Sequence, residues 1–402
     1  MKYIVLLGDG MADEPLEELS GKTPLQAAKT PRMDALACCG ETGIAHTVPQ
    51  GYHPGSDVAN LSVFGYDPAD CYTGRSPLEA ASMGVELAPD DVAFRVNLVH
   101  LTPHYGKLYM EDFSAGHIST AEAKELIDSL QEEFGGADFR FYPGVSYRHL
   151  MVWKGGKDKL RFTPPHDLTQ QSVEGHMPKG EGADVLIDLM TSSQLLFNTH
   201  AVNRRRAERG ELTANSIWMW GHGRKPSMTP LTERFGIRGA VISAVDLIKG
   251  IGIYAGLEVI NVPGATGYLD TNYHGKAEAA LAALTKDNFV YLHVEAPDEA
   301  AHGGNVDDKV RAIEDFDAKV VGTVLDGLAS SGDEYRVLVL PDHPTPVKKM
   351  THTSDPVPYI LFDSQGAFSP TSSVSGYDEF QSRQGGNVID PGHLLMERLL
   401  TR

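Results

Sequence analysis

Three short apolar runs that stop abruptly at acidic or histidine residues constrain this chain more than any other feature. Ile4 to Leu7 ends at Gly8-Asp9-Gly10, Phe289 to Val294 at Glu295-Ala296-Pro297-Asp298, and Val337 to Leu340 at Pro341-Asp342-His343. Runs of four to six residues without polar alternation are strands buried on both faces, the pattern of a mostly parallel sheet covered by helices. Ligands in such folds bind beyond the carboxyl ends of the strands. The same three runs therefore predict an α/β fold and the place where chemistry is done.

The segments between the runs predict the covering helices. From Lys309 to Leu328, the residues Val310, Ile313, Phe316, Val320, Val324 and Leu328 recur three or four apart, with Arg311, Glu314, Asp315 and Lys319 elsewhere on the wheel and Gly332 beyond the end. This reads as an ordinary helix lying on a sheet. Between about residues 90 and 225 the texture changes to longer strand-like pieces, such as Val92 to Val99 and His149 to Trp153, and one capped helix. That helix opens with Ser119-Thr120-Ala121-Glu122 and carries Leu126, Ile127, Leu130 and Phe134 on one face. The expected organisation is a discontinuous core, residues 1–90 and 226–402, with residues 91–225 inserted as an α+β cap domain. A length of 402 residues accommodates both.

Charge and cysteine usage narrow the function classes. With 35 Lys+Arg against 54 Asp+Glu, the net charge of −19 opposes binding to nucleic acid or to anionic membranes. Cys38, Cys39 and Cys71 form neither a disulfide framework nor a CxxC knuckle, which suits a reducing cytoplasm. No run is long enough for a membrane span, and the N-terminal apolar run is too short for a signal peptide. Asn60-Leu61-Ser62 matches a glycosylation sequon only by coincidence in a chain without a secretory signal.

Six potential metal ligands sit at or just beyond the strand ends: Asp9, Asp298, His302, Asp342, His343 and His352. Any one Asp is an ordinary loop cap and any one His an ordinary buried hydrogen-bonding residue; the signal is their joint placement. Asp298 and His302, four apart, point to one side of a helical turn and suit one ion. Asp342 and His343 are adjacent, so in extended chain their side chains diverge toward two neighbouring ions. Oxygen and imidazole donors without thiolates favour Mn²⁺, Mg²⁺ or Zn²⁺. The candidate nucleophile is Ser56 in His53-Pro54-Gly55-Ser56-Asp57, where a turn leads into a helical pattern and the hydroxyl lies near a helix N-terminus. Taken alone it is a plain N-cap serine. Two divalent ions nearby would lower its pKa enough for attack. No GxxxxGK[ST] loop, GxGxxG fingerprint, HExxH or GxSxG is present, so no nucleotide cofactor is expected.

The motifs LLGDGMAD, HPGSDVANLS, HVEAPDEAAH, PDHPTP and MTHTSDPVP, with TGRSPLEAASMGV, SAGHIST, FYPGVSYRHL, VISAVDLIKGIG and GATGYLDTNYHGK, together resemble the archaeal-type cofactor-independent phosphoglycerate mutases, members of the alkaline-phosphatase-like metalloenzymes. The resemblance runs along the whole chain. It implies an alkaline-phosphatase-like core with two Mn²⁺ ions, one held by Asp9, Ser56, Asp342 and His343 and the other by Asp298, His302 and His352. It also implies a small phosphorylated hydroxy-acid substrate, 3-phosphoglycerate, whose phosphoryl group passes to the serine and returns to the 2-hydroxyl while the inserted domain excludes water. Candidate substrate-binding cations are Arg95, His117, Arg148, Arg204 and Arg206 in the insert, with Lys249 and Lys276 from the returning core. The Arg204 to Arg206 run reads equally well as a solvated helix end. Alternative readings are a homoserine kinase-like phosphotransferase and a metal-dependent phosphomonoesterase.

Overall fold

The computed structural model describes residues 1–370 and 374–401. It divides into two compact units, Met1–Tyr72 with Ser227–Arg402, and Thr73–Pro226. The first is built on an eight-stranded sheet in the order Glu258–Val259, Gly239–Ile242, Phe289–Val294, Lys2–Gly8, Tyr335–Leu340, Val357–Asp363, Glu41–Ala45, Asn387–Ile389. Val357–Asp363 runs antiparallel to both neighbours, and the other pairings are parallel. The register pairs Gly8 with Val294 and Leu7 with Leu340, so Asp9, Glu295 and Asp342 leave the sheet along one edge.

Both faces of the three central strands are buried, as their unalternating composition requires. On one face Ile4, Leu6, Val290, Leu292, Val337 and Val339 pack with Ala277 and Ala280 of the helix Tyr273–Leu284 and with Phe316, Val320 and Val324. On the other, Tyr291 stacks on Phe64 with ring centroids 3.8 Å apart. The helix expected over residues 309–328 is present but not uniform. Val306–Asp315 and Gly322–Ser331 are joined by a π turn over Phe316–Val321. In that turn Asp317 is fully buried, accepting the backbone N–H groups of Met33 at 2.7 Å and Arg32 at 3.2 Å. These belong to the start of the helix Pro31–Cys39, which has no cap from Thr30. A residue elsewhere in the fold thus satisfies donors that the helix leaves open.

The second unit is an antiparallel sheet, Lys107–Asp112, Val92–His104, Arg148–Trp153 and Phe139–Tyr142, with Ser216–Arg224 also paired to Val92–His104. Ser119 caps the helix Thr120–Phe134, accepting from Glu122 N at 3.3 Å, and Leu126, Ile127 and Leu130 fill the core beneath it. The first crossover lies at Tyr72/Thr73, earlier than the boundary expected at residue 90. The helix Ser76–Ser82 goes with the second unit because its buried Glu79 pairs with Arg95, and Ser76 Oγ donates to Gly221 O at 2.6 Å. Among the described residues no helix is long and apolar enough to cross a membrane.

Glu379, at the start of the helix Glu379–Gln384, accepts from Asp13 N at 2.9 Å and Thr23 Oγ1 at 2.7 Å. Burial pushes its carboxyl from the ordinary 4.5 up to about 7 against the pull of those donors, with Asp378 adding to the rise. Asp13 and Lys309 also face it, and Arg383 lines the same small cavity. A raised value makes the folded state the tighter proton binder, so this contribution is complete below the unfolded value and is lost as pH rises through about 7. Glu379→Gln should remove the loss. Unfolding free energies of the two proteins from denaturant titration should agree near pH 4 and favour the variant by about 1–3 kcal/mol near pH 8; parallel pH curves would refute this.

Candidate metal centre

The strand-edge residues converge in the first unit. Asp9 follows Lys2–Gly8, Asp342 and His343 follow Tyr335–Leu340, and Asp298 and His302 occupy successive turns of the short helix Ala296–His302. His343 Nε2 lies 3.2 Å from Ser56 Oγ, 3.3 Å from Asp342 Oδ2 and 3.6 Å from Asp9 Oδ1, so the adjacent Asp342 and His343 side chains converge instead of diverging as extended chain would have them. The second group is equally close. Asp298 Oδ2 is 3.1 Å from His302 Nε2, Asp298 Oδ1 is 3.5 Å from His352 Nε2, and the two imidazole Nε2 atoms are 2.9 Å apart. Of the three potential donor groups among the described residues, His343 belongs to two, with Asp9 and Asp342 and with Asp298 and His352; the third is Asp9 with His293 and Glu295.

The donor chemistry fits two divalent cations. Asp9, Asp298, Asp342 and His343 are buried, and Asp9 Oδ1 has no hydrogen-bond partner among the described residues. Burial, reinforced by Asp342, Glu295 and Asp298, holds the Asp9 carboxyl well above the usual carboxylate range. Buried carboxylates in such proximity need positive charge between them. Burial also raises Asp298, but hydrogen bonds from His302 and His352 outweigh it and hold that carboxyl well below its ordinary range. The same contact with Asp298 pushes His302 up to about 9, against burial. A cation in place of that proton meets the same carboxylate.

The local sequence explains how the pieces are held. Gly10 has φ +60°, and a Cβ there would fall 2.5 Å from Asp298 Oδ1, so the loop after Asp9 requires glycine. Gly10 N and His343 N both donate to Asp342 Oδ1, at 3.2 and 2.9 Å. Ser56 is the first residue of the helix Ser56–Val63, and Gly55 stands at the cap position without a capping side chain. The serine hydroxyl faces His343 rather than capping its own helix. Its neighbour Asn60 is buried with all its roles assigned, donating to Asp342 Oδ2 at 2.8 Å and Ser56 O at 2.9 Å and accepting from Tyr291 at 2.6 Å.

His293 is a site residue that sequence reasoning missed. Its Nε2 is 2.8 Å from Asp9 Oδ2 and its Nδ1 is 3.1 Å from Ser243 Oγ. Burial pushes it down to about 3, so it is neutral, and one tautomer serves both contacts, accepting from Ser243 and donating to Asp9. Glu295, pushed up to about 8 by burial and Asp298, lies beside it. The available signal was His293 itself, an imidazole in the otherwise sheet-forming run Phe289–Val294.

The expected substrate-binding cations separate into distinct environments. Lys276 is fully buried, donates to His293 O at 3.1 Å and is pushed down to about 8, chiefly by burial. Lys249 is 3.5 Å from Asp246 on its own helix. In the second unit, buried Arg95 pairs with Glu79 and lies 5.4 Å from the centroid of Trp220. Burial raises Glu79, but Arg95, Arg75 and Arg148 together outweigh it. Arg148 is exposed, its guanidinium 5.6 Å from the Tyr147 ring, and the His117 ring meets Tyr147 edge-on at 5.9 Å. Arg206 departs from expectation: it is buried, paired with Glu122 at 2.8 Å and donating to Leu212 O and Ala115 O at 2.8 and 2.9 Å. Its donors brace the second unit. Arg204 on the same helix is exposed.

Comparison with known proteins is consistent with this geometry. A family described as 2,3-bisphosphoglycerate-independent phosphoglycerate mutase matches residues 37–203. A protein of Geobacter sulfurreducens named probable 2,3-bisphosphoglycerate-independent phosphoglycerate mutase is 62% identical over 402 residues, covering 100% of both chains. A Methanosarcina acetivorans protein named 2,3-bisphosphoglycerate-independent phosphoglycerate mutase is 53% identical, covering 96% of each. Among solved structures, the PH0037 protein of Pyrococcus horikoshii superposes with a TM-score of 0.83 at 29% identity, over 99% of this chain and 96% of its own. The cofactor-independent phosphoglycerate mutase of Thermoplasma acidophilum gives 0.66 at 27% identity, over 99% of each chain.

Proposed function

This chain belongs to the 2,3-bisphosphoglycerate-independent phosphoglycerate mutases, and from that premise we propose how its residues perform the reaction. It is an isomerase that interconverts 3-phosphoglycerate and 2-phosphoglycerate. The observation that carries the mechanism is the Ser56 hydroxyl at a helix N-terminus, 3.2 Å from His343 Nε2 and amid the converged carboxylates and imidazoles.

Asp9, Ser56, Asp342 and His343 would hold one divalent ion and Asp298, His302 and His352 the other, with Mn²⁺ the first choice and Mg²⁺ or Zn²⁺ the alternatives. Such ions, when bound, supply positive charge for the phosphoryl oxygens and lower the pKa of the serine hydroxyl. Ser56 Oγ forms a bond to phosphorus as the bond from phosphorus to O3 of the substrate breaks, and the serine proton ends on O3. In the second half, O2 of the glycerate bonds to phosphorus, the Oγ–P bond breaks, and the O2 proton passes to Oγ. The phosphoserine between the two halves makes a second phosphorylated cofactor unnecessary. Asn60 holds Asp342 and the Ser56 backbone in register, and backbone N–H groups at the start of Ser56–Val63 favour the anion. Lys276, Lys249, Arg95, His117 and Arg148 are the proposed partners of the substrate carboxylate and phosphate. Three free cysteines suit a cytoplasmic setting.

Purified protein with Mn²⁺ and 3-phosphoglycerate, without ATP or 2,3-bisphosphoglycerate, should yield 2-phosphoglycerate. Free phosphate as the sole product would replace the mutase with a phosphomonoesterase. Turnover seen only with ATP and homoserine would replace it with a phosphotransferase, and no turnover under any of these conditions would reject all three.

A further inference from the structure

We propose that Lys309 is a positioning residue of the metal centre, tying three of its ligand-bearing segments, those of Asp9, of Asp298 with His302, and of Asp342 with His343, into one geometry. This rests on the reading that those segments hold divalent ions. Lys309 lies on the helix Val306–Asp315, one short turn after the helix that carries Asp298 and His302. Its side chain is fully buried and so is that of Asp13, its ion-pair partner at 2.8 Å. An ammonium has three donors and no acceptor. Here the acceptors are Asp13 Oδ2 at 2.8 Å, Ala12 O at 3.2 Å and Thr345 O at 2.8 Å.

Those acceptors belong to the other two ligand segments. Ala12 and Asp13 continue the loop from Asp9, and Thr345 follows Asp342 and His343. Asp13 Oδ2 also accepts from Val347 N at 3.1 Å, locking the same two loops a second time. The Thr345 hydroxyl donates to Asp298 Oδ1 at 2.5 Å and lies 3.2 Å from His343 Nδ1. Moving the Thr345 carbonyl therefore shifts groups that orient ligands of both ions. A Lys–Asp pair that merely fills the core would be replaceable by a neutral pair at little cost in stability and none in ion binding. A pair that sets ligand geometry is not replaceable in this way, because outer partners of metal ligands govern affinity.

The experiment compares full-length wild type, Lys309→Met and the double variant Lys309→Met/Asp13→Asn. Each is stripped of metal and titrated with Mn²⁺, with binding followed by the electron paramagnetic resonance of the free ion. We expect Mn²⁺ binding weaker by roughly 10-fold or more in both variants. The double variant should regain most of the melting temperature lost in Lys309→Met, since it carries no unpaired buried charge. Its missing mutase turnover should return when Mn²⁺ is raised by the same factor. A double variant that folds and binds Mn²⁺ like wild type would overturn the proposal, as would turnover that excess Mn²⁺ does not restore. Absence of Mn²⁺ binding in the wild type would overturn the metal-centre reading as well. If Lys309→Met fails to fold, the double variant alone decides.

Discussion

Ser56→Ala should abolish formation of 2-phosphoglycerate, lowering turnover by on the order of 10⁴-fold or more, as loss of an attacking serine does elsewhere. The variant should fold normally. Gly55, not Ser56, stands at the cap of Ser56–Val63, and the hydroxyl makes its contact with His343. Removing one side-chain oxygen there changes stability by no more than about 0.5 kcal/mol. Water can still reach a bound phosphate, so slow release of free phosphate without any 2-phosphoglycerate agrees with the mechanism. Wild type incubated with labelled substrate and rapidly quenched should carry label on Ser56. Wild-type isomerisation by the variant would show that the phosphoryl group travels by another route.

Removing divalent ions should cost both activity and stability. Protein dialysed against a chelator should lose turnover to background and regain it with Mn²⁺. Its stability should fall by about 4 kcal/mol relative to protein in free ion a thousandfold above the dissociation constant. The cause lies in the donor set: the buried carboxylates of Asp9 and Asp342 lie 3.6 and 3.3 Å from the same nitrogen of His343, and Asp9 Oδ1 lacks a partner among the described residues. Elemental analysis must confirm that the metal is gone. A metal-free protein that retained full turnover would refute the assignment of these residues as ligands.

How much of this was legible before folding varies with the range of the interaction. Strand ends are local features, so Asp9, Asp298, Asp342 and His343 could be picked out by chain neighbourhood alone. The Pro54-Gly55 turn before a helical pattern marked Ser56 in the same way. His293 was not legible, because its function depends on lying across from Asp9, set by the parallel register of Phe289–Val294 against Lys2–Gly8. Lys309 was not legible for a related reason. A lysine opening an amphipathic helix looks solvated, yet loops distant in sequence surround this one with oxygen. Arg206 shows the same limit, since Glu122, Ala115 and Leu212 use its donors as a brace.

The sequence alone determined the class of sheet and singled out the strand ends, the candidate ligands and the candidate serine that the fold gathers along one edge. These follow from patterns within a few residues, where backbone geometry and hydrophobic periodicity act directly. Only the tertiary structure decided that His343 is shared by two donor groups, that His293 meets Asp9, and that Thr73 begins the second unit. Hydrogen bonds and buried charges between segments tens or hundreds of residues apart have no local signature, because their partners become neighbours only when the sheet forms.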